Sequence, residues 1–278
     1  MSDAGPAALD QKTLWNGAAG EAWVRGQDVL GAMFRPFEAM LADAAAGCRG
    51  RVLDVGCGTG ATTLAVAEAA PEAECAGVDI SEPMIAAAVA KAKAAGSSAQ
   101  FFCADAQDHG FADASIEMIV SRFGVMFFRD PVAAFANLRR AATAGGRLNV
   151  IAWRSADENP FMTTAERAAV KLIPDFPVRK AEGPGQFAFA DAAHVRSILE
   201  AAGWRDVSLM PVDVACEMPE PALRNYLMQM GPLGVVLNKA DAATRERLST
   251  AVRAAFNRYV DGDTVRFDAA CWTITARA

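Results

Sequence analysis

The sequence predicts an α/β fold in which a doubly wound, mostly parallel sheet is covered by helices on both faces. A short apolar run at residues 51–53 leads through a glycine-rich loop into a helical segment. Further apolar runs of strand length alternate with helix-length segments as far as residue 153. Two of these runs end near a carboxylate, at Asp79 and Asp105, and ligands of open parallel sheets bind at the carboxyl ends of the strands.

Length, composition and charge narrow the class of protein. A chain of 278 residues suffices for one α/β domain with insertions. No apolar run reaches the roughly 18 residues that a membrane span needs, and the first residues lack the pattern of a signal peptide, so we expect a soluble, cytoplasmic protein without a membrane partner. The net charge of −6 argues against nucleic acid as a partner. The six cysteines form no Cys-x-x-Cys pair, and no metal site is predicted.

Residues 1–48 are predicted to form a helical N-terminal arm ahead of a main domain at residues 49–278. Apolar residues recur in the arm at three- and four-residue intervals, as in a core-packing stripe: Leu30, Met33, Phe34, Phe37, Met40 and Leu41. Trp15 and Trp23 bracket a run of small residues with poor helix propensity. Two interpretations stay open, since the indoles could cover a bound ligand or anchor the arm on the domain.

The glycine-rich loop predicts a binding site for a nucleotide-like ligand. Asp54 ends the first strand and is followed by Gly56, Gly58 and Gly60 before the helix begins. Glycine tolerates positive φ and lets the backbone approach a ligand at the helix N-terminus. The loop also satisfies a looser dinucleotide pattern in which Ala61 replaces the third glycine, so the loop alone does not identify the ligand.

The second strand ends at Asp79, whose carboxylate can accept hydrogen bonds from both hydroxyls of a ribose. The alternative is that Asp79 assists the next helix, but Ser81 already occupies the N-cap position there. Ile80 and Met84 are then placed to flank an adenine ring.

The third strand runs from residue 100 into Asp105, Ala106 and Gln107. A fourth strand, at residues 116–124, carries Ser121 and Arg122 at the same sheet edge. Asp105 could equally be an exposed turn residue. Arg122 could orient an acceptor or a cofactor carboxylate, or form a surface salt bridge.

From Asp54 to Trp153 the ordered set of motifs resembles the class I S-adenosylmethionine (SAM)-dependent methyltransferases. The set comprises the glycine loop, the acids after strands two and three, the fourth strand, and a fifth strand at residues 148–153 preceded by two glycines. The resemblance implies a Rossmann-like sheet of seven strands with the last antiparallel, SAM as cofactor and S-adenosylhomocysteine as product. It also implies that Asp105 contacts the adenine amino group. The cofactor-binding residues predicted are Asp54, Gly56, Cys57, Gly58, Asp79, Ile80, Met84, Asp105, Ala106, Gln107, Ser121 and Arg122.

Two insertions are predicted to form a cap over the site. Residues 154–190 are rich in proline and phenylalanine, and residues 217–262 read as helical between a sixth strand at 207–214 and a last strand at 265–276. Five aromatic residues are candidates for the wall of an apolar acceptor pocket: Trp15, Trp23, Phe123, Phe127 and Phe161.

The predicted function is in-line methyl transfer from SAM to a small-molecule acceptor. Positioning can supply much of the acceleration, and neither His109 nor His194 is placed as a convincing base. Two alternatives stay open. One is an NAD-dependent oxidoreductase, and the other is a catalytically silent SAM-fold protein used for binding or regulation.

Overall fold

The computed structural model describes residues 11–173, 176–177 and 183–278. The first ten residues of the predicted arm, and residues 174–175 and 178–182 of the first predicted insertion, lie outside the described residues.

A single sheet organises the described chain. Its strands are β1 (Arg51–Val55), β2 (Glu74–Asp79), β3 (Gln100–Cys103), β4 (Ile116–Arg122), β5 (Ala142–Trp153), β6 (Arg205–Pro219), β7 (Val260–Asp261) and β8 (Thr264–Arg277). They lie in the order β3-β2-β1-β4-β5-β8-β6, with β7 paired to β8. The first five strands are parallel, whereas β8 runs antiparallel to both β5 and β6. The predicted mostly parallel sheet with an antiparallel last strand is therefore confirmed, and the two-residue β7 is an addition to it.

Helices cover the sheet and continue beyond it. They are α1 (Gln11–Asn16), α2 (Ala18–Arg25), α3 (Gln27–Ala45), α4 (Ala61–Ala69), α5 (Glu82–Ala95), α6 (Pro131–Ala141), α7 (Pro160–Val170), α8 (Ala192–Ala201), α9 (Glu220–Gln229), α10 (Gly231–Lys239) and α11 (Ala242–Ala254). Ser81, Asp130 and Asp191 accept hydrogen bonds from backbone N–H groups in the first turns of α5, α6 and α8. Ser81 thus occupies the N-cap position that the sequence predicts.

The central strands are buried because both of their faces meet apolar side chains. Ile119 and Val120 of β4 are fully enclosed, and the predicted stripe of α3 contributes Met33 and Phe37 to the same core. This packing holds the carboxyl ends of β1, β2 and β4 along one edge of the sheet, since β1 lies between β2 and β4.

The second half of the chain differs in detail from the predictions. β6 extends through Pro219 because it pairs with β8 along its whole length, so residues 217–219 belong to a strand and the helical part of the second insertion begins at Glu220. The helical part of the second insertion is not continuous at its end. α11 ends at Ala254, and a short 3₁₀ turn covers Asn257–Tyr259.

Helices from both insertions pack together. α7, from the first, lies against α10 and α11 of the second, and α9 lies against α10 and α11. We call these four helices the cap, and α1, α2 and α3 the arm. Within the described part of the chain, no helix combines the length and the apolar character that a membrane crossing needs.

Candidate functional site

A cavity of about 590 Å³ lies at the carboxyl ends of β1, β2 and β4. Its wall is built from three parts of the chain: the strand ends and their loops, the arm, and the cap. One residue from each illustrates the arrangement, namely Asp79, Trp23 and Tyr226. A cavity of this size can hold a cofactor-sized molecule and exclude water from much of its surface.

The loop after β1 has the conformation that only glycine adopts easily. Gly56, Gly58 and Gly60 have φ angles of 68°, 54° and 82°. A Cβ on Gly56 would lie 2.6 Å from the Cα of Gly124, and a Cβ on Gly60 would lie 2.9 Å from atoms of the Phe101 ring. The glycine pattern therefore provides both the backbone conformation and the space that this turn needs.

Asp79 holds the glycine loop in place. Its two carboxylate oxygens accept hydrogen bonds from the backbone N–H of Gly58, at 2.8 Å, and of Ser81, at 2.9 Å. Burial raises the pKa of Asp79, and the N–H donors of Ser81 and Gly58 oppose that rise. A carboxylate oxygen can accept more than one hydrogen bond, so Asp79 keeps acceptor capacity on the cavity wall.

Asp54 carries an unsatisfied oxygen at the same wall. Thr63 donates its hydroxyl to Oδ2 at 2.7 Å, whereas Oδ1 is buried and has no hydrogen-bond partner among the described residues. Asp54 is 2% exposed, and burial raises its pKa to about 7 against the opposing effects of the Thr63 hydroxyl and the Arg122 charge. A buried carboxylate of this kind favours a ligand that brings a donor or a positive charge.

Arg122 lies in the cavity wall and is paired. Its guanidinium contacts Glu38 of α3 at 3.0 Å, and the two side chains are 13% and 14% exposed. The guanidinium also lies 5.7 Å from the centre of the Phe34 ring. Arg122 therefore forms a salt bridge, as one of the two predictions has it, but the pair is largely buried beside the cavity and is not at the surface.

The remaining predicted cofactor residues fall into two groups. Cys57, Ile80, Met84, Asp105 and Ala106 line the cavity.

Gln107 and Ser121 are not among the described residues that line it. Gln107 accepts the backbone N–H of Asp130 through Oε1 at 2.9 Å, and Ser121 donates its hydroxyl to the Val55 carbonyl at 2.6 Å. These two side chains fix loops around the cavity, a role that their positions near the carboxyl ends of strands do not distinguish from ligand contact.

The five predicted aromatic residues all line the cavity: Trp15, Trp23, Phe123, Phe127 and Phe161. Phe123 has a φ of 64°, which is unusual for a bulky residue, and its ring stacks on Trp153 at 4.5 Å. Phe161 is 2% exposed and stacks on Phe267 of β8 at 3.8 Å, so most of its surface is packed between the cap and the sheet.

The arm is fastened to the loop after β2 by contacts that the sequence does not reveal. Asn16 donates its amide to the Ile80 carbonyl and accepts the Glu82 backbone N–H, both at 2.9 Å. The hydroxyl of Ser81 donates to the Trp15 carbonyl at 2.7 Å. Trp15 therefore helps to anchor the arm through its backbone carbonyl, and it also lines the cavity, while contact of its indole with a ligand stays a prediction.

The arm and the cap meet at Gly26 and Met230. A Cβ on Gly26 would lie 2.8 Å from the terminal methyl of Met230, so the absence of a side chain allows this approach. Several other residues that line the cavity were not predicted from the sequence as part of the site, among them Gln27, Phe34, Gln229 and Met230. Phe34 belongs to the apolar repeat of α3. Such a repeat assigns a residue to an apolar face, but it does not indicate whether that face packs in the core or lines a cavity.

Together these features fit a nucleotide-type ligand with a cationic end. The glycine loop offers close backbone approach, Asp79 offers acceptor capacity, and Asp54 offers an unpartnered buried oxygen. Ile80 and Met84 offer an apolar surface beside Asp79.

Comparison with known proteins gives matches over the part of the chain that contains the glycine loop, Asp79 and Asp105. A family model described as a methyltransferase domain matches residues 52–146. The demethylmenaquinone methyltransferase of Thermus thermophilus is 40% identical over 101 residues, which are 36% of this chain and 46% of that protein. A protein of the same name from a Mycobacterium species is 30% identical over 167 residues, 56% of this chain and 68% of that protein. This chain thus spans about half the length of the first relative and about two thirds of the second.

A solved structure shows the same fold. Phosphoethanolamine N-methyltransferase 2 of Haemonchus contortus, in complex with S-adenosyl-L-methionine, has a TM-score of 0.59 and 15% sequence identity. The similarity covers 98% of this chain and 60% of that one.

Proposed function

Because this chain belongs to the class I SAM-dependent methyltransferases and uses SAM as its cofactor, we propose that it methylates an apolar, ring-bearing small molecule held beneath the cap. The observation that carries the proposal is that one cavity joins the glycine loop and Asp79 to a chamber lined by aromatic side chains of the arm and the cap. The dehydrogenase alternative is not favoured, because the chain matches methyltransferases after the glycine loop as well as within it.

The sheet edge is the proposed cofactor site. Asp79 would accept hydrogen bonds from the ribose hydroxyls, and Ile80 and Met84 would flank the adenine, with Asp105 as the acid near its amino group. Asp54, whose buried carboxyl belongs to the cavity wall, would favour the positively charged methionine portion through its charge. When bound, SAM supplies a methyl group on a positively charged sulfur.

Aromatic residues of the arm and of the sheet edge would form one wall of the acceptor site. Phe34, Phe123 and Trp153 pack against one another within 6 Å and present apolar surface to the cavity. Such a wall excludes water and orients a flat apolar molecule, and positioning of this kind can supply much of the acceleration of a displacement reaction. An aromatic face also favours a neighbouring cation.

The class of acceptor is proposed from the relatives. Two of them are named demethylmenaquinone methyltransferases, and a naphthalene-type ring system matches an aromatic-lined cavity of about 590 Å³. We therefore propose a quinol or another phenolic aromatic acceptor. A cytoplasmic location and the lack of a nucleic-acid partner stay predictions of the sequence.

A two-step experiment tests the proposal. Calorimetry should detect binding of SAM or S-adenosylhomocysteine and none of NAD or NADP. Incubation with isotopically labelled SAM and either a metabolite extract or reduced 1,4-naphthoquinone, followed by mass spectrometry, should then give a labelled methylated product. Binding of SAM with no transfer to any component would favour the catalytically silent alternative, and binding of NAD alone would overturn the proposal.

A further inference from the structure

Arg122 presents unused hydrogen-bond donors to the cavity. Its Nη1 donates to Oε1 of Glu38 at 3.0 Å, whereas Nε and Nη2 have no hydrogen-bond partner among the described residues. The side chain is 13% exposed, and neither of these two nitrogens is among the buried polar atoms that lack a partner. Because Arg122 lines the cavity, both nitrogens are accessible to a molecule bound there.

Glu38 holds the guanidinium from behind. Glu38 is 14% exposed and is not part of the cavity wall, so only the cationic member of the pair faces the cavity. Burial lowers the pKa of Arg122, and the charges of Glu38 on α3 and Asp54 on β1 oppose that fall. An arginine stays protonated in proteins, so Arg122 is a fixed cation. The pKa of Asp54 is about 7, so below that pH Glu38 is its main counter-charge.

The same guanidinium lies against the aromatic wall proposed for the acceptor. Its central carbon is 5.7 Å from the centre of the Phe34 ring, and that ring packs against Phe123 at 5.4 Å and Trp153 at 5.9 Å. Such rings exclude water, and a charged donor acts more strongly on a ligand where water is excluded. An acceptor lying on this wall therefore has a cationic N–H donor beside it.

A phenolic acceptor has to lose a proton to become a good nucleophile. No histidine or lysine within the described part of the chain lines the cavity, so the common neutral bases are not at hand. A positive charge within about 4–6 Å favours the charged form of an acid and can lower its pKa by about 1–3 units. A fixed cation can thus promote ionisation without itself taking the proton.

We infer that Nε and Nη2 of Arg122 bind the hydroxyl oxygen of the acceptor and hold it as a phenolate. This inference rests on the proposed function and adds the ionisation state in which the acceptor binds. In this step the O–H bond breaks, its electron pair stays on the oxygen, and the proton passes to solvent water. The two N–H groups then stabilise the negative oxygen.

The test uses 4-nitrophenol, whose phenolate absorbs visible light while its protonated form does not. Protein saturated with S-adenosylhomocysteine is mixed with the probe at a series of pH values, and the absorbance gives the pKa of the bound probe. On the wild type this pKa should lie at least about one unit below that of the free probe. S-adenosylhomocysteine has no positive charge on its sulfur, so the cofactor's sulfur does not contribute to the shift.

Two double variants separate Arg122 from other cations. Arg122→Met combined with Glu38→Met removes the whole pair, so no unpaired charge is left buried, and this variant should abolish the shift. Arg129→Met combined with Asp108→Met is the matched control. Arg129 also lines the cavity, but its pair with Asp108 is exposed, and this variant should keep the shift.

The inference is overturned if the wild type does not bind 4-nitrophenol or leaves its pKa unchanged, results that need no variant to fold. It is also overturned if the shift survives without Arg122. Weaker binding of S-adenosylhomocysteine together with a surviving shift would assign Arg122 to the cofactor carboxylate instead. The proposed function is judged separately, by the binding of S-adenosylhomocysteine to the wild type and by the labelled methylated product.

Discussion

The backbones of Gly56 and Gly124 are in direct contact, with the Cα of Gly124 only 2.6 Å from the position that a Cβ on Gly56 would take. This contact joins the loop after β1 to the loop after β4. Neither partner is a flexible side chain, so neither can move aside without shifting a loop that lines the cavity. The shape of the cavity therefore depends on a glycine that is far in sequence from the glycine-rich motif.

The Gly124→Ala variant should lose stability and cofactor affinity together. Its Cβ would lie 2.6 Å from the Val55 carbonyl oxygen and 2.7 Å from the Gly56 Cα. The φ of Gly124 is −82°, an ordinary value, so the cost arises from the contact. Overpacking of this kind costs about 1–3 kcal/mol in the free energy of unfolding.

Urea unfolding and calorimetry with SAM measure the two effects. Gly110→Ala is the control, because no atom lies within 4 Å of a Cβ there. Equal stability and equal SAM affinity for Gly124→Ala and wild type would show that the two loops are not constrained by this contact.

The Asp79→Asn variant should weaken SAM binding more than it weakens the fold. Asparagine keeps one acceptor oxygen for the loop but removes the charge, and hydrogen bonds to charged groups contribute about 1.5–3 kcal/mol each. We expect the dissociation constant for SAM to rise at least about tenfold by calorimetry. Asp43→Asn, on the exposed face of α3, is the matched control. An unchanged SAM affinity in folded Asp79→Asn would remove Asp79 from the cofactor site.

Asp54 should make stability depend on pH. Burial raises its pKa from 3.8 to about 7, so between these values the folded protein holds a proton that the unfolded chain has released. The free energy of unfolding should therefore fall as pH rises from about 4 to about 7, by up to roughly 4 kcal/mol, and change little from this source above pH 7.

The Asp54→Asn variant isolates this effect, since asparagine can accept the Thr63 hydrogen bond but does not titrate. Denaturant unfolding of both proteins between pH 4.5 and pH 8 gives the comparison. The wild-type curve should fall relative to the variant as pH rises, and parallel curves would mean that Asp54 ionises normally.

The sequence predicts the parts of this structure that depend on local patterns. The glycine loop, the carboxylate at Asp79 and the N-caps Ser81 and Asp130 each follow from a few neighbouring residues. These features depend on local backbone conformation and on helix capping. They therefore form wherever the strand or helix itself forms, whatever it packs against.

Contacts between distant parts of the chain could not be predicted in this way. Asn16 is 64 residues from its partner Ile80, and nothing in either local sequence indicates that they meet. The same limit explains Gln107, which follows the third strand as a ligand-binding residue would but bonds to the backbone of Asp130. It also explains β6, whose length follows from its pairing with β8.

Ligand binding at the sheet edge should slow hydrogen exchange in the arm. Asn16 and the Trp15 carbonyl are bonded to Ile80, Ser81 and Glu82, which follow Asp79 directly. A cofactor held by Asp79 should therefore slow hydrogen exchange in residues 11–25, and in residues 160–170 of the cap, while the buried strand β1 changes little. Exchange mass spectrometry with and without S-adenosylhomocysteine measures this protection.

The Asn16→Ala variant should uncouple the arm from the site, because it removes both side-chain hydrogen bonds to the loop after β2. Exchange in residues 11–25 should then be faster without ligand and gain less protection from it. Thr13→Ala, exposed on the same helix, serves as the control. If S-adenosylhomocysteine leaves the arm's exchange unchanged in the wild type, the arm does not close over the cofactor, and its tryptophans serve to pack it on the domain.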